Sequence, residues 1–375
     1  MDQTDVLIIG ASISGLASAA CMQRRNLRYI VIEKEPEVAM PWRNHYERLH
    51  LHTNKRISNL PYKKFDSSIP RYPSRRQVVD YLETYREHFA IEPLFNTEAN
   101  AIKKQGGYWI TSTNNGNIQS KYLVMATGAF GKPKPVQFDG METFPGKIIH
   151  SYGYKTGRDF TGQKVLVVGF GNSACEIALD LYEHGAVPFM AVRSPVNVIP
   201  RDVMGIPILE LSQLMSRLPP RLADTINAPL VSILVGDLKK LGLRKLPYGP
   251  FEQIRKDGSI PLLDIGTITH IRQKHIKILD DIDRIEGKTV YFVSGKKEGF
   301  DAIIAAIGYY RDYASILDTE RSRFDDLKLP VTKQKYFGKD GLYFCGFCIS
   351  PTGQIREISL DAQKIAKDIA KKTRA

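Results

Sequence analysis

Two glycine-rich turns are the residues of this 375-residue chain whose types and spacing could do chemistry. The first, Gly10-Ala11-Ser12-Ile13-Ser14-Gly15, follows the apolar run 6–9 and opens a helix-like segment. It matches the G-x-G-x-x-G fingerprint of a dinucleotide site, with one departure. There the first glycine makes the tight turn, the second admits the pyrophosphate, and the third packs helix on strand. Helix N-terminal N–H groups and the macrodipole then hold the phosphates. Ser12 stands in the middle position, so its Cβ pushes the diphosphate outward while its hydroxyl offers a donor. Glu33, with Lys34 after it, ends the apolar run 29–32, where an acid accepts the ribose hydroxyls. The second turn is Gly169-Phe170-Gly171-Asn172-Ser173-Ala174, and alanine is an accepted third residue. Its following strand, 189–192, leads into Arg193 and Ser194 instead of an acid. A cation there pairs with the 2′-phosphate of NADP. The two turns therefore predict FAD at the first and NADPH at the second, a pairing in which flavin accepts hydride from nicotinamide.

The elements that must position these turns repeat. The run 6–9 followed by Gly10 is echoed by 165–168 followed by Gly169, and the run 122–128 by 302–308. Continuous apolar runs suit strands buried on both faces of a parallel sheet, and two strand-turn-helix openings imply two nucleotide-sized α/β units. Asn114-Asn115-Gly116, flanked by strand-like runs, predicts a hairpin. Ser74 with Gln77 reads as a capping box opening a helix through Tyr81 and Tyr85. Residues 131–135 read as a loop. The apolar, proline-broken segment 206–250 reads as a set of short helices, roofing a substrate or forming a docking patch.

Composition bounds the function. The chain carries 53 Lys and Arg against 40 Asp and Glu, a net charge of +13, but the cations are spread out and no nucleic-acid module accompanies them. Nucleic acid is therefore not expected as a partner, nor is a metal, because no second Cys/His pair has suitable spacing. No run approaches roughly 18 apolar residues, so no transmembrane span is expected. Four cysteines fit a reducing compartment, and a strand-like run beginning at Val6 leaves no room for a secretory signal; both point to the cytoplasm. Cys345 and Cys348 form a C-x-x-C that could act as a redox dithiol.

Between the turns, Phe144-Pro145-Gly146 through His150 and Tyr154 resembles F-x-G-x-x-x-H-x-x-x-[YF], the identifying motif of flavin-containing monooxygenases. The resemblance is closer to the YUCCA-type branch and its bacterial relatives. It is carried by residues 48–53, Tyr72-Pro73-Ser74, 151–157, 169–173, 263–267, Gly341-Leu342-Tyr343, Gly346-Phe347 and Asp361-Ala362. It implies an α/β chain of two Rossmann-like domains, with an NADPH domain (156–308, including a helical roof near 206–250) inserted into an FAD domain (1–155 and 309–375). It further implies that NADPH reduces FAD, that O2 adds to the flavin C4a carbon, and that one oxygen atom passes to a small molecule. That molecule would be an N- or S-containing compound, or an aryl 2-oxo acid undergoing oxidative decarboxylation. Beside FAD the resemblance adds Trp42, Arg43, Thr53, Thr127, Gly128, Gly346 and Phe347 to Gly10, Ser12, Ile13, Ser14, Gly15, Glu33 and Lys34. For NADPH it adds Tyr72 to Gly169, Gly171, Asn172, Ser173, Arg193 and Ser194. An Asn that steadies the oxygen adduct in animal-type relatives falls at His52 or Asn54. These two and Asn172 are the catalytic candidates, although Asn172 could equally cap its helix. His50 and His150 are expected to be satisfied, partly buried histidines. Ser12, Ile307 and the missing glycines before Trp42-Arg43 depart from the family pattern. Rival readings are an NADPH:disulfide reductase using Cys345 and Cys348, and a non-enzymatic flavin sensor. Peripheral membrane contact through 206–250 and a homodimer are compatible with the sequence.

Overall fold

The computed structural model describes residues 2–128, 131–310, 316–318, 324, 330 and 337–374. The chain forms two compact units, one of Met1–Asn44, Thr53–Lys132 and Tyr310–Ala375, the other of His45–His52 and Pro133–Tyr309.

In the first unit the run 6–9 is the buried half of the strand Asp2–Ile9, in which Val6, Leu7 and Ile8 are fully buried. This strand lies parallel to Tyr29–Ile32 on one side and Gly116–Met125 on the other. The far edge of Gly116–Met125 is shared. Its first half pairs antiparallel with Tyr108–Thr113, and Leu123–Met125 pairs parallel with Leu342–Phe344. The hairpin forms as expected, with Thr113 opposite Gly116. The helix Ile13–Gln23 is apolar almost all round, and every residue through Met22 is buried. The glycine in its first turn is obligatory, because a Cβ on Gly15 would lie 1.8 Å from the Gly10 carbonyl oxygen. The predicted capping box is complete: Ser74 Oγ accepts the Gln77 N–H and Gln77 Oε1 accepts the Ser74 N–H, opening Arg75–His88.

The second unit holds a five-stranded parallel sheet in the order Lys277–Leu279, Val187–Ala191, Lys164–Val168, Ala302–Ala305, Lys147–His150. Its central strands are the second set of apolar echoes, buried on both faces. The expected boundary at 155 falls inside this unit. Lys147–His150 pairs with Ala302–Ala305, so the unit's main segment begins at Pro133. Residues 45–52 also belong to it, joined by the Glu47 N–H donated to the Lys155 carbonyl at 2.9 Å. The segment 206–250 forms Ile208–Met215, Pro220–Val235 and the short turn Leu238–Leu241. Among the described residues, no helix is long and apolar enough to cross a membrane.

The motif 144–154 is a clamp on this sheet. A Cβ on Gly146 would meet the Asp301 carbonyl oxygen at 2.1 Å, so only glycine lets the two backbones approach. His150 Nδ1 accepts the Tyr152 N–H at 3.1 Å, so the proton sits on Nε2, which donates to the Gly308 carbonyl at 3.0 Å. The ring is thus held neutral, and burial lowers its pKa against the opposing pull of that carbonyl. Tyr154, 1% exposed, donates its hydroxyl to Asp180 Oδ2 at 2.6 Å, and the same oxygen accepts the Gly157 N–H at 2.8 Å. Asp180 sits on Asn172–Glu183, the helix of the second turn, so the motif closes onto the helix that follows the dinucleotide fingerprint. Burial raises the Tyr154 pKa, and the hydrogen bond to Asp180 raises it further.

Replacing Tyr154 by Phe removes one hydrogen bond to a buried carboxylate. Urea unfolding should show a loss of about 1.5–3 kcal/mol. His150 has a depressed folded pKa, so its contribution to stability is full above about pH 6.5 and is lost as pH falls toward the folded value. The stability difference between wild type and His150→Gln should therefore shrink from pH 8 to pH 5.5 in matched denaturant titrations.

Candidate functional site

The first unit brings its predicted cofactor residues to the C-terminal ends of parallel strands. Gly10, at φ +105°, turns out of Asp2–Ile9, and a Cβ there would lie 2.9 Å from the Ala126 carbonyl oxygen. Thr127 and Gly128 therefore follow the neighbouring strand directly beside this turn. Gly346 follows Leu342–Phe344, and a Cβ on it would strike Ser14 Oγ at 2.2 Å. The Asp361 carboxylate accepts the Gly346 N–H, and burial pushes its pKa up to about 6. Glu33 Oε2 accepts the Ala11 N–H at 2.7 Å and Oε1 the Glu35 N–H at 3.1 Å. The carboxylate is thereby set beside the turn, and each oxygen keeps a lone pair for a ribose hydroxyl. Ser12 is the N-cap residue of Ile13–Gln23, but its side chain makes no capping bond. A backbone cradle without room for Cβ, beside a positioned acid, fits a dinucleotide such as FAD. Arg43 is otherwise engaged. Its guanidinium pairs with Glu37 at 3.2 Å and with Glu83, and donates to the Val38 carbonyl.

In the second unit Gly169, at φ +119°, packs against the Ala306 carbonyl, where a Cβ would lie at 2.6 Å. Gly171 has no heavy atom within 4 Å of an added Cβ, so its backbone is open to a ligand. Asn172 does not cap the helix. The N-cap is Gly171, and Asn172 Oδ1 accepts the Leu263 N–H at 2.9 Å, anchoring the strand Leu262–Asp264. Arg193 and Ser194 follow Val187–Ala191 and are exposed. Open backbone, helix N-terminus and strand-end cation together suit NADPH.

The catalytic candidates divide. Asn54 lies in the first unit, where its Oδ1 accepts the Arg56 N–H at 2.9 Å and caps Lys55–Ile57. Thr53 Oγ1 lies 2.6 Å from Ser58 Oγ. Tyr72 also lies in the first unit, apart in sequence from the second turn. His52 lies in the second unit, with Nε2 2.5 Å from Glu176 Oε1. Glu176 is 2% exposed and sits on the helix of the second turn. Tyr46, 2% exposed, has its hydroxyl within hydrogen-bonding reach of Ser173 and Glu176. Burial and the Glu176 charge raise the Tyr46 pKa well above its ordinary value. Sequence reasoning missed Tyr46 and Glu176. The one available signal was an acid in the apolar run 174–179. His50 is exposed rather than partly buried, and its Nδ1 lies 2.6 Å from the Arg48 carbonyl oxygen.

Comparison with known proteins decides the family. Residues 7–203 match the model described as pyridine nucleotide-disulphide oxidoreductase. The chain is 38% identical to indole-3-pyruvate monooxygenase YUCCA6 of Arabidopsis thaliana, over 98% of this chain and 90% of that protein. It is 36% identical to indole-3-pyruvate monooxygenase YUCCA1 of Oryza sativa subsp. japonica, over 97% of this chain and 90% of that protein. The chain belongs to the YUCCA-type flavin monooxygenases. A flavin-containing monooxygenase from Stenotrophomonas maltophilia shares the fold, with a TM-score of 0.73, 18% identity and full coverage of both chains.

This YUCCA-type chain is accordingly an FAD- and NADPH-dependent monooxygenase of two Rossmann-like domains, acting on a small molecule with O2. Bound flavin supplies hydride acceptance and oxygen transfer. Bacillithiol disulfide reductase from Staphylococcus aureus also shares the fold, at a TM-score of 0.70 and 17% identity over 99% of each chain, so fold alone does not separate the two chemistries. Cys345 does. It is fully buried, its Sγ lies 3.8 Å from the Ile358 carbonyl, and burial raises its pKa, with the Asp361 charge adding to the effect. A thiol held protonated is a poor nucleophile. Replacing both Cys345 and Cys348 with Ser should leave the rate of NADPH consumption within about twofold of wild type in steady-state assays.

Proposed function

We propose that this enzyme oxidatively decarboxylates indole-3-pyruvate or a closely similar aryl 2-oxo acid. One 2-oxo acid, O2, NADPH and a proton yield the aryl acetic acid, CO2, NADP+ and water. The observation that carries this reading is the 38% identity across 98% of the chain to a protein named for that substrate. The residues support a division of labour in which the protein furnishes no nucleophile. Gly10, Ser12, Ile13, Ser14, Gly15, Glu33, Lys34, Thr53, Thr127, Gly128, Gly346 and Phe347 hold FAD, and Trp42 and Arg43 shape its surroundings. Gly169, Gly171, Ser173, Arg193 and Ser194 hold NADPH together with the backbone of Asn172, and Tyr72 is a further candidate for the same cofactor. This assigns residues 1–132 and 310–375, less 45–52, to FAD, and 133–309 with 45–52 to NADPH. His52 positions the helix of the second turn through Glu176, and Asn54 is the candidate to steady the oxygen adduct.

Four free cysteines support a cytoplasmic site of action. Leu222, Ile226, Leu230 and Ile233 form an exposed stripe along Pro220–Val235. That stripe supports peripheral contact with a membrane or with a second copy of the chain.

The decisive measurement supplies the purified enzyme with NADPH, isotopically labelled O2 and, separately, indole-3-pyruvate, a sulfide and a tertiary amine. We expect the aryl acetic acid from indole-3-pyruvate, one labelled oxygen per molecule and one NADPH consumed per product. Oxygenated sulfide or amine, with no acid formed from indole-3-pyruvate, would overturn the substrate assignment.

A further inference from the structure

The end of Val187–Ala191 carries more positive charge than its own sequence reveals. Val196 donates its N–H to the Arg244 carbonyl at 2.8 Å, and Leu246 donates its N–H to the Val196 carbonyl at 3.1 Å. This bridge, with Val196 opposite Lys245, lays 244–246 alongside the chain that leaves the strand. Leu243, 2% exposed, anchors the segment, and Gly242 at φ +77° turns the chain into it. The Arg244 guanidinium consequently reaches back 51 residues and donates to the Arg193 carbonyl. Both arginines are exposed, and neither has a carboxylate within ion-pair distance among the described residues. Two cations gathered at one strand end without a counter-charge repel each other, and a dianion bound between them relieves that repulsion.

We propose that Arg244 is a second specificity-determining cation for the phosphate monoester on the adenosine ribose of NADPH, acting beside Arg193 and the Ser194 hydroxyl. This rests on the reading that NADPH occupies the second turn. Arg193 continues directly from the strand, whereas Arg244 enters from a remote segment. Its guanidinium is oriented by the Arg193 backbone, so a fork of donors meets the phosphate from a second direction. The two residues divide the work: each supplies charge, and Arg244 also locks the loop that carries Arg193.

The test is equilibrium binding to the flavin-loaded enzyme, by calorimetry, of adenosine 2′,5′-bisphosphate and of 5′-AMP, which lacks the second phosphate. Wild type should bind the bisphosphate more tightly. Arg244→Ala should weaken the bisphosphate about tenfold or more and change 5′-AMP by less than about twofold. Arg244→Lys should recover part of the loss, and Arg193→Ala serves as the reference. Unchanged bisphosphate affinity in Arg244→Ala would overturn the proposal, as would equal weakening of both ligands, which marks a structural role. Should wild type fail to discriminate between the ligands, the assignment of NADPH to this turn fails first, and Arg244 with it.

Discussion

The structure of the first unit depends on the parallel pairing of Leu123–Met125 with two strands from opposite ends of the chain. Asp2–Ile9 takes one edge and Leu342–Phe344 the other. A parallel pair cannot be joined by a tight turn, so the chain between these strands must leave the sheet and return. The main segment of the second unit, 133–309, is built within that long excursion. Because all three strands run the same way, the Gly10 turn, Thr127 and Gly346 emerge at one end. That end is where ligands bind in open α/β sheets. The close approaches at Gly10 and Gly346 follow from this shared edge, since Gly10 meets Ala126 at the end of the neighbouring strand and Gly346 meets Ser14 on the helix, where a Cβ has no room.

The second unit applies the same geometry with different charges. Glu33 sets a carboxylate at one strand end, whereas the corresponding strand end near Arg193 carries cations. One fold thus places opposite charges at a single topological position. The polar side chains nearby are largely committed to holding the frame. Asp180 ties Tyr154 and Gly157 to the turn helix, Asn172 ties that helix to Leu263, and Glu176 meets His52 and Tyr46. This suits an enzyme whose bound cofactors carry the reaction and whose protein supplies orientation. It also gives the identifying motif a physical meaning: Gly146, His150 and Tyr154 secure backbone and helix.

The legible parts of the molecule were those whose causes are local. The capping box at Ser74 and Gln77, the hairpin at Asn114-Asn115 and the echoed apolar runs depend on neighbours a few residues away. The domain boundary was not legible, because whether Lys147–His150 joins one sheet or the other depends on Ala302–Ala305. The roles of Asn172 and Arg43 were opaque for the same reason. Both residue types suit a cofactor site, yet their partners are Leu263, Glu37 and Glu83.

By itself the sequence determined the two turns, their helices, and which carries an acid and which a cation. Glycine sterics and strand periodicity act over a handful of residues and tolerate few alternatives. Only the tertiary structure decided which polar groups serve the frame, that His52 meets Glu176, and that Arg244 meets Arg193. A buried polar group must find a partner or incur a desolvation cost. Which partner lies within reach is set by how remote segments pack, and that information is not present in any local stretch of chain.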